Sequence, residues 1–405
     1  MGDRVIWVVY FFLCAVSLVE VFSAASSLAY KSGSFWLPMM RHAAFLACGT
    51  VVLWVVHTQP CRKFKLLFVL LYPTSMFMLL WMLIFGDSVN NAARWMGWGW
   101  FRFQPSELAK MALVGCTALI LSRTQRERGA DPQAFKYILI SAAIICLLIL
   151  PENLSTAFLL GGVVFLMMFI GRVSLLQLGK LLGVIVLAGG MIVGIAFAAH
   201  KTGYGEKLSN LPGFHRLETW IERMESHGND IDLSKPGDYD IDENAQVAHA
   251  HIAIASSGGI GKMPGNSVER DFLSQAFSDF IYAIIIEEIG LWGGGFVVFL
   301  YIVILYRVGR IASRCERNFP PFLAIGLALL LVSQALLNML VAVGLFPVTG
   351  QPLPLISRGG TSTIINCIYI GMILSVSRYA RQTEHPESTR FDGPMDAIKH
   401  EDDLV

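Results

Sequence analysis

The stretch 274–290 (SQAFSDFIYAIIIEEIG) is an apolar run entered by one aspartate, Asp279, and interrupted by two glutamates, Glu287 and Glu288. A carboxylate in hydrocarbon costs roughly 2.5–3.5 kcal/mol on insertion scales, so acidic residues there are a functional hypothesis in themselves. Asp279 has two readings from its position alone. It is a helix cap, favoured by the N-terminal dipole, or it is a carboxylate kept for chemistry. Glu287 and Glu288 are about 100° apart on a helix and cannot face one direction. One is expected to line an internal polar cavity; the alternative is a buried ion pair with a basic residue of another span.

A second charged pair opens another apolar segment, in FRFQPSELAK (101–110). Pro105 suits a first helical turn, and Glu107 and Lys110, three apart, share a face and can pair. They either line a polar cavity or neutralise each other as a structural pair. Arg94 and Arg102 lie just upstream. With Lys110 they could meet an anionic ligand such as a phosphate. Trp95, Trp98 and Trp100 read as an interfacial aromatic belt.

The third unusual stretch, PVTGQPLPLISRGGTS (347–362), holds three prolines and three glycines and cannot be a regular helix. Irregular backbone at membrane depth is tolerated only where protein or a water-filled cavity surrounds it. Gly359 and Gly360, just before a helix, could present backbone N–H groups to an anion. The HAH triplet at 249–251 is a poor metal site, because residues two apart do not share a helical face. The NLS sequon at 153–155 abuts an apolar span and carries no weight.

The elements that position these residues are membrane helices. The chain is 405 residues, 55% hydrophobic and 15% charged, where a soluble domain carries roughly 25% charge. Ten spans are expected, at about 5–25, 41–57, 66–85, 105–122, 135–150, 154–170, 176–199, 280–306, 320–345 and 361–379. Pro151 and Glu152 divide the fifth from the sixth. The first span is too long for a signal-peptide core and is read as retained. Arg62, Lys63, Lys65, Arg123, Arg126, Arg128, Arg172, Lys180, Arg307, Arg310, Arg314 and Arg317 then fall in links on one side, the cytoplasm, with both termini inside. The fold class is therefore an all-α polytopic membrane protein. It has about ten transmembrane helices and a long extracytoplasmic loop, 200–279, between helices seven and eight.

That loop has 13 acidic and seven basic residues, and it is too long for a simple connector. Two amphipathic helices are expected in it, at 209–226 and 244–257, both on the outer membrane surface. Gln246 lies in the second and is grouped with Glu287 and Glu288 as supporting polar residues. A transmembrane unit, 1–380, is followed by an acidic tail, 381–405, without apolar period. Seven cysteines lie in spans or basic loops and imply no disulfide framework. Net charge +1 gives no hint of nucleic acid.

AARWMG (92–97), FQPSELAK (103–110), GGIGKMPGNS (258–267), SDFIYAIIIEEIG (278–290) and LFPVTGQPLPLISRGGTS (345–362), in this order, resemble the SEDS family, the group of FtsW, RodA and SpoVE. The resemblance covers roughly 5–380 and leans towards the FtsW branch through the hydrophilic tail and the GNSVER stretch. It implies a peptidoglycan glycosyltransferase that polymerises lipid II at the outer face of the bacterial cytoplasmic membrane, at the division septum. The implied partners are lipid II, a class B penicillin-binding protein of the FtsI type and other divisome proteins. Asp279 matches the family's essential aspartate, and a carboxylate there could act as general base for the attacking sugar hydroxyl.

The leaving pyrophosphate needs positive charge, from Arg94, Lys110 or Arg358, or from a divalent cation, magnesium or manganese. Ser357, Gly359, Gly360 and Glu107 complete the expected substrate-binding set; no organic cofactor is implied. Departures from the family pattern are Gln275, Phe277 (often histidine), Thr349 (often lysine in division-type members) and Arg358, where SYGG is common. A lipid II flippase and a noncatalytic scaffold for the penicillin-binding protein are the competing functions.

Overall fold

The computed structural model describes residues 2–32, 36–85, 96–98, 101–127, 129–151, 153–201, 245–273 and 277–384. Arg94, the expected helix at 209–226 and the chain beyond 384 lie outside the described residues. The helices are α1 (Arg4–Ser32), α2 (Trp36–Thr58), α3 (Cys61–Phe85), α4 (Pro105–Thr124), α5 (Pro132–Ile149), α6 (Leu154–Ile170), α7 (Leu175–Lys201), α8 (Ala245–Ser256), α9 (Ile281–Ala312), α10 (Phe319–Ala342) and α11 (Thr361–Glu384). All ten apolar segments expected from the sequence are helical. Among the described residues, eight helices are long and apolar enough to cross a membrane, and Leu154–Ile170 and Leu175–Leu187 are shorter apolar helices. The chain is a multi-pass membrane protein.

The apolar surface is arranged as lipid demands. Along α3, Phe64, Phe68, Ser75, Leu79 and Met82 are buried at helical spacing, while Leu66, Leu70, Phe77 and Ile84 are exposed. By contrast α4 and α11 lie inside the bundle. They get there through small residues that let backbones approach. Gly115 of α4 faces the Phe68 ring, Gly326 of α10 faces Val114 and Met167, and Gly49 of α2 faces Cys367 of α11.

Local boundaries follow from single residues. Pro105 opens α4 in the first helical turn. Asn153 caps α6 by accepting from the Thr156 N–H at 3.1 Å. That cap separates α5 from α6 and gives the asparagine of the sequon a structural role. Two short antiparallel pairs, Met96–Trp98 with Phe101–Phe103 and Gln125–Arg126 with Gly129–Ala130, were not expected from the sequence.

The second loop helix exists as α8. It packs on α9 with Ala248, Ala250 and Ala253 buried. Behind it, α9 is broken at Gly290, whose φ of 81° and ψ of −177° are open to glycine and strained for other residues. The chain that follows α8 fills the break. Lys262 N–H donates to Glu287 O at 2.9 Å, Met263 N–H to Glu288 O at 2.8 Å, and Leu291 N–H to Gly259 O at 3.2 Å. Backbone groups freed from the helix ladder are thus satisfied by protein, as hydrocarbon requires.

Candidate active site

Asp279 is positioned by the backbone around it. Residues 277–279 form a turn ahead of α9, and all three of its carbonyls are held by side chains or backbone from later in the sequence. Phe277 O accepts from Arg358 N–H at 3.0 Å, Ser278 O from Ser357 Oγ at 2.6 Å, and Asp279 O from Asn338 Nδ2 at 2.8 Å. The cap position of α9 is Phe280, and no side chain caps it. Asp279 lies one residue before that cap position and is half-buried.

A buried polar thread supports this turn. Asn338 Nδ2 also donates to Gln351 O at 2.8 Å, and Gln351 Nε2 donates to Thr156 Oγ1 at 2.6 Å. One turn earlier on α10, Gln334 Nε2 donates to Pro352 O at 3.1 Å, while its Oε1 accepts from Lys110 Nζ at 2.9 Å. Lys110 Nζ meets Glu107 Oε1 at 2.7 Å. The expected Glu107–Lys110 pair is real and deeply buried, at 4% and 0% exposure. Glu107 Oε2 has no hydrogen-bond partner. The Lys110 charge is thus engaged within α4, which favours the structural reading of the pair over direct contact with an anion.

The 347–360 segment is irregular and largely buried, as its composition requires. Ser357 Oγ accepts from Leu353 N–H at 2.7 Å while donating to Ser278 O, and Tyr301 donates to Pro354 O. Leu355 holds a left-handed φ of 66°, a strain that persists where surroundings over-determine it. Arg358 is half-buried, with its guanidinium 5.5 Å from the Phe277 ring centroid. Burial first, and the charge of Arg41 second, pull its pKa down from the ordinary arginine value. Gly360 has φ 49°, and a Cβ on Gly359 would collide with Ser362 Oγ. Both glycines sit immediately before α11.

Glu287 and Glu288 form a second network. Glu287 accepts from Lys262 Nζ at 2.7 Å, from Val268 N–H at 3.1 Å and from Ser267 Oγ. Glu288 accepts from Ser23 Oγ and faces Arg270 Nη1 at 3.8 Å. Arg270 in turn donates to Ser23 Oγ at 2.9 Å. Their cationic partners come from the chain between α8 and α9, not from another span. Glu20 of α1 is a further fully buried carboxylate in the electrostatic neighbourhood of Glu288. Gln246 is exposed on α8. His249 bonds Glu269 at 2.6 Å, and His251 packs against Gly344, so the HAH histidines serve different contacts. Among the described residues no three His, Cys, Asp or Glu side chains are grouped to hold a metal ion.

This architecture has clear relatives. Residues 3–382 match the FtsW, RodA and SpoVE family, described as "Cell cycle protein". The chain belongs to the FtsW/RodA/SpoVE family. The probable peptidoglycan glycosyltransferase FtsW of Hahella chejuensis is 31% identical over 383 residues, covering 93% of this chain and 90% of the relative. Stage V sporulation protein E of Bacillus subtilis is 28% identical over 385 residues, covering 94% and 98%. Among solved structures, one on structural coordination of polymerization and crosslinking by a peptidoglycan synthase complex superposes with a TM-score of 0.69 at 23% identity, covering 94% of this chain and 99% of the other. Thermus thermophilus RodA superposes with a TM-score of 0.62 at 21% identity, covering 93% and 97%.

Asn338, Gln334, Gln351 and Thr156 were not singled out in the sequence. A signal was present for two of them. Gln334 and Asn338 are four apart on an otherwise apolar helix, and polar amides inside a membrane helix need partners.

Proposed function

We propose that this chain is a peptidoglycan glycosyltransferase that polymerises lipid II into glycan strands at the outer face of the cytoplasmic membrane, in septal synthesis. The observation that carries this reading is the anchoring of the 277–279 turn through three successive carbonyls. It presents one half-buried carboxylate where α9, α10 and the 347–360 segment meet.

In the reaction, the 4-hydroxyl oxygen of the acceptor sugar attacks the anomeric carbon of the donor. Asp279 takes the hydroxyl proton as general base. The bond from the anomeric carbon to the phosphate oxygen breaks, and its electron pair leaves with the polyprenyl diphosphate. Asp279 gains from being held by its main chain, because a misplacement of about 1 Å can cost about 100-fold in rate. Glu107, Lys110 and Gln334 keep the 350–358 backbone in place from behind. Magnesium or manganese would bind here only with substrate phosphates supplying most of its ligands, with Asp279 as the protein oxygen.

The cytoplasmic placement of both termini is supported by the basic links and by the ion pair between Asp3, at the start of α1, and Arg307, near the end of α9. A class B penicillin-binding protein is the proposed partner, supported by the likeness to the peptidoglycan synthase complex.

The test is lipid II polymerisation by the purified chain with its penicillin-binding protein, wild type beside Asp279→Asn. Strands from wild type alone are expected. Equal strands from both would remove Asp279 from the mechanism. None from either, with lipid II crossing sealed vesicles, would turn the reading to transport.

A further inference from the structure

The buried carboxylates among the described residues are Asp3, Glu20, Glu107, Glu269, Glu287 and Glu288. All but one face a basic side chain. Asp3 faces Arg307, Glu107 faces Lys110, Glu269 faces His249, Glu287 faces Lys262 and Glu288 faces Arg270. Glu20 of α1 is the exception. It is 0% exposed, and neither of its carboxylate oxygens has a hydrogen-bond partner. An ionised carboxylate left in this way inside a membrane protein is costly, and it persists only where something neutralises it.

The surroundings of Glu20 are short of positive charge. Ser23 lies three residues on, along the same face of α1. Its Oγ donates to Glu288 Oε1 and accepts from Arg270 Nη1 at 2.9 Å, and its carbonyl accepts from the same Nη1 at 3.1 Å. There α1 packs on α9 and on the short 3-10 turn Glu269–Asp271. Glu20 is thereby close enough to Glu288 for the two charges to repel. Glu288 Oε2 is, like both oxygens of Glu20, buried with no hydrogen-bond partner. The cation facing this group is Arg270, whose Nε also faces the exposed Asp271 at 3.9 Å. One guanidinium against two buried carboxylates leaves one negative charge over, and the unpartnered oxygens are the acceptors left for whatever balances it.

We infer that Glu20, Ser23 and Glu288 form a site for one monovalent cation, a sodium ion or a proton, between α1 and α9. Carboxylate and hydroxyl oxygens are hard donors suited to either. Ser23 Oγ accepts one hydrogen bond and keeps a second lone pair for the cation. A divalent ion fits less well. Magnesium and calcium take roughly six or more oxygens, and Arg270 Nη1 already lies 3.8 Å from Glu288 Oε1. Ser23 ends the apolar stretch of α1, Arg4–Ser23, so the site is near water rather than at mid-membrane. When filled, it ties α1 to residues 281–290, the half of α9 that leads out of the Asp279 turn. The site is independent of the reaction the chain performs.

The experiment is thermal unfolding of the full chain in zwitterionic nanodiscs, with sodium chloride exchanged for choline chloride at constant ionic strength and at several pH values. Wild type is compared with Glu20→Gln and Ser23→Ala. Glutamine keeps the shape of Glu20 and needs no counter-charge. Sodium should raise the wild-type midpoint by several degrees and then saturate. Glu20→Gln should not respond, and Ser23→Ala should need more sodium for the same rise. If the ligand is a proton, sodium has no effect. Wild type then loses stability relative to Glu20→Gln as pH rises, because the folded state binds a proton that the unfolded chain releases. The other charged or titratable groups packed around the site are Arg41 and His42 of α2, Glu287 of α9, and His249, Lys262, Glu269, Arg270 and Asp271 from α8 and the chain after it. All are present in both proteins, so the difference belongs to Glu20. Should Glu20→Gln fail to fold, Glu20→Ser takes its place. Equal responses of wild type and the Glu20 variant to both sodium and pH would overturn the site.

Discussion

Asn338 holds Asp279 by its main chain: the Asn338 Nδ2 donates to the Asp279 carbonyl at 2.8 Å and, with its other hydrogen, to the Gln351 carbonyl at 2.8 Å. The aspartate is fixed without a bond from this amide to its carboxylate. Its position is set from α10, through the main chain. Asn338→Ala should therefore lower the polymerisation rate by about 100-fold through misplacement. Two stranded carbonyls should cost about 1–3 kcal/mol of stability. Rate and thermal unfolding measured on the same preparation check this. A variant with normal turnover would show that the amide does not position the base.

Glu107 and Lys110 make a contrasting prediction. Removing one member of a buried pair leaves an uncompensated charge and costs about 3–5 kcal/mol, whereas neutralising both costs far less. Lys110→Met should unfold well below wild type, and Lys110→Met with Glu107→Gln should recover most of the loss. A double-mutant cycle by thermal unfolding in detergent measures it. If Lys110 instead contacts substrate, the double variant would regain stability but show a large rise in KM.

Gly261 and Gly290 meet backbone to backbone. A Cβ on Gly290 would lie 2.5 Å from Gly259 O and Ile260 C, and one on Gly261 would lie 2.5 Å from Gly290 N. Both also have positive φ, 90° and 81°. Gly261→Ala and Gly290→Ala should each abolish accumulation of folded protein. Gly258→Ala, with φ 57° and open space around it, should cost only about 1–2 kcal/mol. Membrane yield and unfolding temperature separate the two classes, and a tolerated Gly290→Ala would mean the break is not required.

Glu287 is the anchor of the chain after α8, since its carboxylate takes Lys262, Ser267 and the Val268 N–H together. Glu287→Ala should release that stretch before it affects the rest of the bundle. Amide hydrogen exchange at 262–268 should then speed up by about tenfold or more, each tenfold being about 1.4 kcal/mol of local stability. Protection elsewhere in α9, α10 and α11 should be retained. Uniformly lost protection would show instead that the glutamate supports the whole bundle.

The sequence made some of these features visible and hid others for physical reasons. Span positions follow from composition, because hydrocarbon admits few other solutions. The Glu107–Lys110 pair was visible because helix geometry places residues three apart side by side. Pro151 marked a boundary whose second half, the Asn153 cap, is equally local. The partners of Glu287 and Glu288 were not visible. Lys262 and Arg270 reach them from a connecting segment whose path depends on tertiary contacts. The cap position of α9 is Phe280, one residue after Asp279, a boundary that composition did not fix.

The break in α9 also bears on how the protein is made. Residues 259–263 leave the ribosome before 281–312, so the segment that fills the break is made before α9. The carbonyls of Glu287 and Glu288, which a straight helix would have paired within itself, meet the waiting Lys262 and Met263 N–H groups instead. Synthesis order and chain geometry agree, and a truncated product ending inside α9 would already carry the receiving strand for the residues still to come.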